Sequence, residues 1–354
     1  MTTASVLHNG MLRIDIAGMH PLFSHLRVDP YIAGILGMVA LASALPATGQ
    51  GMTAASGTGA AMIAAMFFLQ GARLSPRAAL AGARNWRLHS LVLASTFLLF
   101  PVIGLAARAV VPGLLSPALW AGLLLLCVLP STVQSSIAFT SIARGNVAAA
   151  LCAATASNLF GILLTPLLAG LVLRAHGGFS AQGVGDIVLQ LLLPFLAGQV
   201  ARPWIGDWVA RHKGLTGLVD RGSILLIVYV AFSEGVAHGI WHQLDVSQFV
   251  TLLLVDAALL GAVLLATSAG GRALGFDRPD RITIVFCGSK KSLASGLPMA
   301  SVLFAGQSLG LAVLPLMLFH QIQLMACAAL ARRYAGQQTV SSASRTARAA
   351  PVSA

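Results

Sequence analysis

The stretch Phe286-Cys-Gly-Ser-Lys-Lys-Ser-Leu-Ala-Ser-Gly-Leu-Pro298 sets two adjacent lysines inside an apolar run over 282–304. Gly288, Gly296 and Pro298 flank Lys290 and Lys291, and Ser289, Ser292, Ser295 and Ser301 surround them with hydroxyls. A charge at lipid depth costs several kcal/mol and is retained for a purpose. Helix breakers at that depth are tolerated where the opened backbone is buried in protein or lines a cavity. An interrupted helix carrying polar groups at mid-membrane is the signature of a carrier's binding site. An ammonium pair there can bind an anionic substrate group beside the N–H donors of a half-helix. It can also exchange a proton, or form an ion pair that locks the structure. Glu234 and Asp256 are the acids well inside apolar spans and so the candidate charge partners. His320, with Gln321 and Gln323 nearby, is a candidate relay or a satisfied core histidine.

A second polar interruption occurs earlier, in Leu129-Pro-Ser-Thr-Val-Gln-Ser-Ser136. Ser131, Thr132, Gln134, Ser135 and Ser136 offer the oxygens that hard cations take. Singly, such hydroxyls serve as helix–helix hydrogen bonds; five polar residues in six positions after a proline favour a site.

These residues need a scaffold, and the composition says which kind. The 354 residues are 57% hydrophobic and 9% charged, against roughly 25% charged in a soluble domain. This is the balance of a polytopic membrane protein, with the lipid bilayer as its surroundings. A net charge of +12 raises nucleic acid as a partner. The arginines lie in short clusters between apolar spans, which excludes it. Cys127, Cys152, Cys287 and Cys327 fall inside apolar spans without paired spacing and read as small core residues. Residues 1–29 contain no sustained apolar region and read as a cytoplasmic segment without a cleavable signal. Residues 334–354, rich in Ser, Ala, Arg and Gln, read as a disordered cytoplasmic tail.

Windows of about 20 apolar residues predict ten spans, near 30–47, 52–70, 89–109, 119–141, 147–173, 185–201, 221–240, 248–270, 282–305 and 311–331. With both termini cytoplasmic, the clusters Arg73/Arg77/Arg84/Arg87, Arg202/Arg211/Lys213/Arg221 and Arg272/Arg278/Arg281 all face inside. So do Arg13, Arg27, Arg144 and the arginines after 331, while Arg108 and Arg174 alone fall outside. This asymmetry is the positive-inside rule. Five spans followed by five predict an inverted duplication, about 30–174 and 185–331 within a transporter domain over 30–333. The two polar interruptions then take corresponding places as the fourth and ninth spans.

Pro130-Ser-Thr-Val-Gln-Ser-Ser-Ile-Ala-Phe-Thr-Ser-Ile-Ala-Arg-Gly-Asn146 and Cys287–Pro298 resemble the bile acid:sodium symporter superfamily, in its sodium-bile-acid-symporter-like bacterial branch. Phe67-Phe-Leu-Gln-Gly71, Asn85-Trp-Arg-Leu-His89 and Thr96-Phe-Leu-Leu-Phe-Pro101 fit the same branch, and the resemblance covers about 25–333. It implies ten helices in two inverted repeats, with broken and crossing fourth and ninth helices. It also implies a panel of spans one, two, six and seven facing a core of the other six. Substrate would lie between them, with sodium behind the crossing. By that resemblance the acidic sodium ligand falls at Ser289, the ninth-span glutamine at Leu293 and the third-span glutamine at Thr96. The fifth-span hydroxyls fall near Ala150 and Ala154, with Thr155 and Asn158 as the nearest polar candidates, and a fourth-span Ser-Asn pair falls around Ser135, Ser136 and Ile137. Little of the sodium cage is kept. The lysines then gain another reading, as stand-ins for the ion.

The expectation is a secondary active carrier of a small organic anion in the bacterial inner membrane, working by alternating access. Coupling is to sodium by resemblance, with proton coupling or none as alternatives, and no other cofactor is implied. The competing function is a membrane regulator that modulates ion flux without transporting. An intramembrane enzyme lacks any His-Glu-x-x-His, Gly-x-Ser-x-Gly or paired-Asp motif, and nothing resembles a channel filter.

Overall fold

A computed structural model describes residues 30–73, 85–174, 181–237, 239, 245–304 and 309–349. The segment 1–29, Arg77, Arg84 and the last five residues lie outside them. The described residues are helical, without strands, and in chain order the helices are α1 (Pro30–Ala44), α2 (Gly49–Arg73), α3 (Trp86–Val110), α4 (Pro117–Val128), α5 (Gln134–Ile142) and α6 (Val147–Arg174). They continue as α7 (Ala181–Arg211), α8 (Lys213–Ala237), α9 (Val246–Ala273), α10 (Arg278–Gly288), α11 (Leu293–Leu303) and α12 (Leu309–Ala349). Six of them, α2, α3, α6, α8, α9 and α12, are individually long and apolar enough to cross a membrane.

Two helices run past the apolar windows. Helix α12 continues to Ala349, beyond the last apolar window; its Ala, Arg and Gln are good helix formers. The basic residues between the sixth and seventh spans also sit on helices. Helix α7 runs to Arg211 and α8 begins at Lys213, so only His212 separates them. An apolar window marks the lipid-depth part of a helix and is blind to its extensions.

The surface is apolar. Leu36, Leu98, Leu171, Leu254 and Leu265 are all more than half exposed, as lipid-facing residues are. Association in lipid gains nothing from hiding such side chains, so it relies on close packing and interhelical hydrogen bonds. Helices α1, α2, α7 and α8 pack on one another. A Cβ on Gly71 would overlap the Phe195 carbonyl, and one on Gly198 would overlap the Phe68 carbonyl. Helices α2 and α7 therefore touch backbone to backbone through reciprocal glycines. The rest of the chain builds around α4, α5, α10 and α11, with α3, α6, α9 and α12 against them. Both shorter pairs are signalled locally. Ser116 caps α4, its Oγ accepting from Leu119 N, and Pro117 opens it. Asp277 caps α10, its carboxylate accepting from Asp280 N.

Asp280 ties the outer end of α10 in place. Asn85 Nδ2 donates to its Oδ2 at 3.0 Å and Asn146 Nδ2 donates to its Oδ1 at 2.8 Å. One carboxylate thereby joins the start of α3, the turn after α5 and α10. That turn, Ala143–Asn146, passes through Arg144 at φ 57°, a left-handed position uncommon for a residue with a Cβ.

Candidate functional site

The two polar interruptions meet. Helix α4 stops at Val128 and α5 starts at Gln134; α10 stops at Gly288 and α11 starts at Leu293. At the first break each carbonyl from Leu126 to Ser131 has a partner, as buried backbone requires. Pro130 has no N–H, so Leu126 O accepts from Leu129 N instead. Val128 O accepts from Thr165 Oγ1 at 2.8 Å. Pro130 O accepts from Ser292 N at 2.9 Å, and Ser131 O accepts from Asn158 Nδ2 at 2.7 Å. Cys127 O and Leu129 O, the remaining two, both accept from Lys291 Nζ at 2.8 Å.

The second break is closed by the first in return. Ser131 Oγ donates to Cys287 O at 2.7 Å, and Ser136 Oγ donates to Phe286 O at 3.3 Å. Ser289 Oγ donates to Val285 O of its own helix. Gln323 holds both backbone groups of Lys291: its Oε1 accepts from Lys291 N, and its Nε2 donates to Lys291 O, each at 2.8 Å. The same Nε2 lies 2.9 Å from His320 Nδ1. Ser292 Oγ caps α11 by accepting from Ser295 N, and Ser295 Oγ donates to Asn158 Oδ1 at 3.0 Å. Asn158 is thus the joint between the two breaks, one end of its amide on each.

The lysines are both fully buried yet differently placed. Lys291 Nζ donates to Thr96 O at 2.7 Å as well as to Cys127 O and Leu129 O, and stands 4.1 Å from the Phe100 ring centre. Lys290 Nζ donates to Ser135 O at 2.7 Å. It lies 3.9 Å over the Phe139 ring and 5.5 Å from that of Phe286, a cation–π pocket. Beside it, Thr132 Oγ1 pairs with Ser135 Oγ at 2.6 Å and Ser136 Oγ at 3.3 Å.

The remaining residues singled out from the sequence divide. Gln134 is exposed at the start of α5, and Thr155 is half-buried on α6 one turn from Asn158. Glu234 is half-buried on α8, away from the breaks in sequence and on the other packed group. Asp256 makes no hydrogen bond to either lysine here: it is fully buried on α9, and neither carboxylate oxygen has a hydrogen-bond partner. The sequence placed it in a span but could not say which way it faces. His320 contacts the crossing through Gln323. The sequence reading notes Thr96 only as a position of the resemblance and Gln323 only beside His320, and it leaves Phe100, Phe139, Ser157, Thr165 and Phe286 out of the site. What these residues do is visible only once the helices are packed.

Three comparisons bear on this geometry. A protein of Escherichia coli (strain K12) named "Putative symporter YfeH" is 52% identical over 311 residues, covering 88% of this chain and 94% of that protein. "Sodium/bile acid cotransporter 7" of Xenopus tropicalis is 27% identical over 326 residues, covering 86% of this chain and 91% of that protein. Residues 29–336 match the SBF-like CPA transporter family, and the chain belongs to that family. It is accordingly a multi-pass membrane protein of a transporter family within the bile acid:sodium symporter superfamily, and not an enzyme.

Proposed function

We propose that this chain is a secondary active carrier of a small organic anion, working by alternating access at the crossing of α4/α5 with α10/α11. The observation that carries the reading is the crossing itself. Two interrupted helices exchange their released backbone groups, Ser292 N to Pro130 O and Ser131 Oγ to Cys287 O, and bury two ammonium groups between them. A bundle with a purely structural task has no need to break two helices and then repair them.

In this reading α4/α5 and α10/α11 are each one interrupted span, giving ten spans in two inverted repeats. Helices α1, α2, α7 and α8 form a panel, and the others form a core that rocks against it. Substrate enters beside Thr132, Gln134 and Ser135 and the capped start of α11 at Ser292 and Ser295. An anionic group is favoured there by the N–H donors of the half-helix and by Lys290, which needs only to leave the Ser135 carbonyl to meet it. Glu234 travels with the panel. The relatives' names, a symporter and a sodium/bile acid cotransporter, support an organic anion as cargo. The basic-residue asymmetry supports a bacterial inner-membrane location with both termini cytoplasmic.

The test is flux. Purified protein in liposomes should take up labelled carboxylates and sulfonates, taurocholate among them, with saturation. Folded protein that moves none of them above protein-free liposomes would leave the regulatory reading in its place.

A further inference from the structure

The carbonyl oxygens around Lys291 are deprived of helical partners by the sequence itself. Within α3, Ser95–Leu99 is a π-helical turn, and Phe100 N donates to Ser95 O. The Thr96 carbonyl thereby loses its ordinary N–H, and the next residue along, Pro101, has none. Cys127 O would take Ser131 N in a continuous helix, but Ser131 N donates to Ser157 Oγ at 3.0 Å. Leu129 lies beyond the helix in extended conformation, at φ −72° and ψ 154°. Two elements thus aim three orphan carbonyls at one point, at the negative end of α4. A neutral amine has two N–H donors, and its lone pair would confront the third oxygen. Three acceptors at 2.7–2.8 Å fit an ammonium, with three donors and no acceptor. The Phe100 ring face adds to the same preference.

A cage of backbone carbonyls is also what a hard monovalent cation takes. Sodium, which the family's name implies, does not fit here, because the cage is filled by the chain's own side chain. Several of the other positions that the resemblance assigns to sodium fail too. Leu293, Ala150 and Ala154 bring no side-chain oxygen, Ser289 Oγ is turned to Val285 O, and the Asn158 amide is spent on Ser131 O and Ser295 Oγ.

We infer that the crossing carries its own cation: the Lys291 ammonium occupies a monovalent-cation cage formed by the carbonyls of Thr96, Cys127 and Leu129. The protein cycles without sodium at that place. Removing the side chain exposes a site for a small monovalent cation. This deepens the carrier reading by fixing what stands at its coupling position, yet its test requires neither substrate nor flux. A failure here leaves transport untouched, and a failure of flux leaves the cage untouched.

The experiment follows thermal unfolding of the purified full chain in sodium, ammonium, propylammonium or choline chloride at equal ionic strength. For the unaltered protein the four midpoints are expected to coincide. Lys291→Ala should unfold at a lower temperature in choline. It should recover saturably in ammonium, propylammonium or sodium, as ligand linkage requires. The inference is overturned if Lys291→Ala responds alike to all four cations, or to none. It is overturned equally if sodium raises the midpoint of the unaltered protein saturably above choline. Should Lys291→Ala fail to fold, that last comparison decides alone, indifference to sodium upholding the cage and a saturable rise refuting it.

Discussion

The first break and the second meet the same difficulty with opposite chemistry. At Leu129–Val133 the chain offers carbonyls: Cys127, Leu129, Pro130 and Ser131 all accept from outside their own helix. At Ser289–Ser292 the donors dominate, the two ammonium groups and Ser292 N, although the Phe286 and Cys287 carbonyls still accept hydroxyls from the first break. A break lined with acceptors cannot be closed by a copy of itself. The difference teaches why lysines stand in one interruption and a proline with hydroxyls in the other.

Within the donor half, neighbouring lysines differ again. Lys291 has each of its three donors on a carbonyl, whereas Lys290 gives one hydrogen bond and rests on two ring faces. In the proposed carrier one is a fixed ion and the other an ion that can be drawn away. Variants should separate them. Lys291→Met, which keeps length and removes charge, leaves three buried carbonyls without a donor and should destabilise the most, by about 3–5 kcal/mol by analogy with breaking a buried ion pair. Lys290→Met should cost less, about 2 kcal/mol for one charged hydrogen bond and its ring contacts. It should also abolish anion-dependent stabilisation, which Lys291→Met, where it folds, should keep. Both are read by thermal unfolding with and without anions.

Asp256 is the counter-case, a buried ionisable side chain with no hydrogen-bond partner on either oxygen. Asp256→Leu should raise stability by about 1–2 kcal/mol, since it removes polar atoms that gain nothing in return. A fall would mean that the carboxyl has a role in the folded state beyond the crossing. The smallest expected change is Ser131→Ala. It frees Cys287 O from its hydroxyl donor and should cost about 1 kcal/mol; an effect as large as that of Lys291→Met would mean that the hydroxyl, not the ammonium, closes the crossing.

The sequence shows where the breaks are because their causes are local. Pro130 removes an N–H, Gly288 stands at the end of α10, and two lysines interrupt an apolar run. It cannot show what closes them. Gln323 on α12 and Thr165 on α6 look like routine polar residues in apolar helices, and only packing brings the Gln323 amide to the Lys291 backbone N–H and carbonyl. Thr96 lies between these cases: Pro101 marks a weak point in α3, but only the π-helical turn makes that an orphan Thr96 carbonyl, and its donor comes from a residue 195 positions away. Asp256 shows the limit in the other direction. Hydropathy placed it at lipid depth, and charge complementarity paired it with the lysines, but a helix position does not reveal which face meets which neighbour. The extension of α12 beyond Arg333 was hidden for another reason, since helix formation past the bilayer leaves no apolar window.

The most direct test of the whole account is uptake of a labelled organic anion by proteoliposomes, measured in sodium and in choline at matched ionic strength. A carrier whose cation is built into the chain gives saturable uptake of equal rate in both. Uptake that stops when sodium is withdrawn, or no uptake above protein-free liposomes, would contradict it.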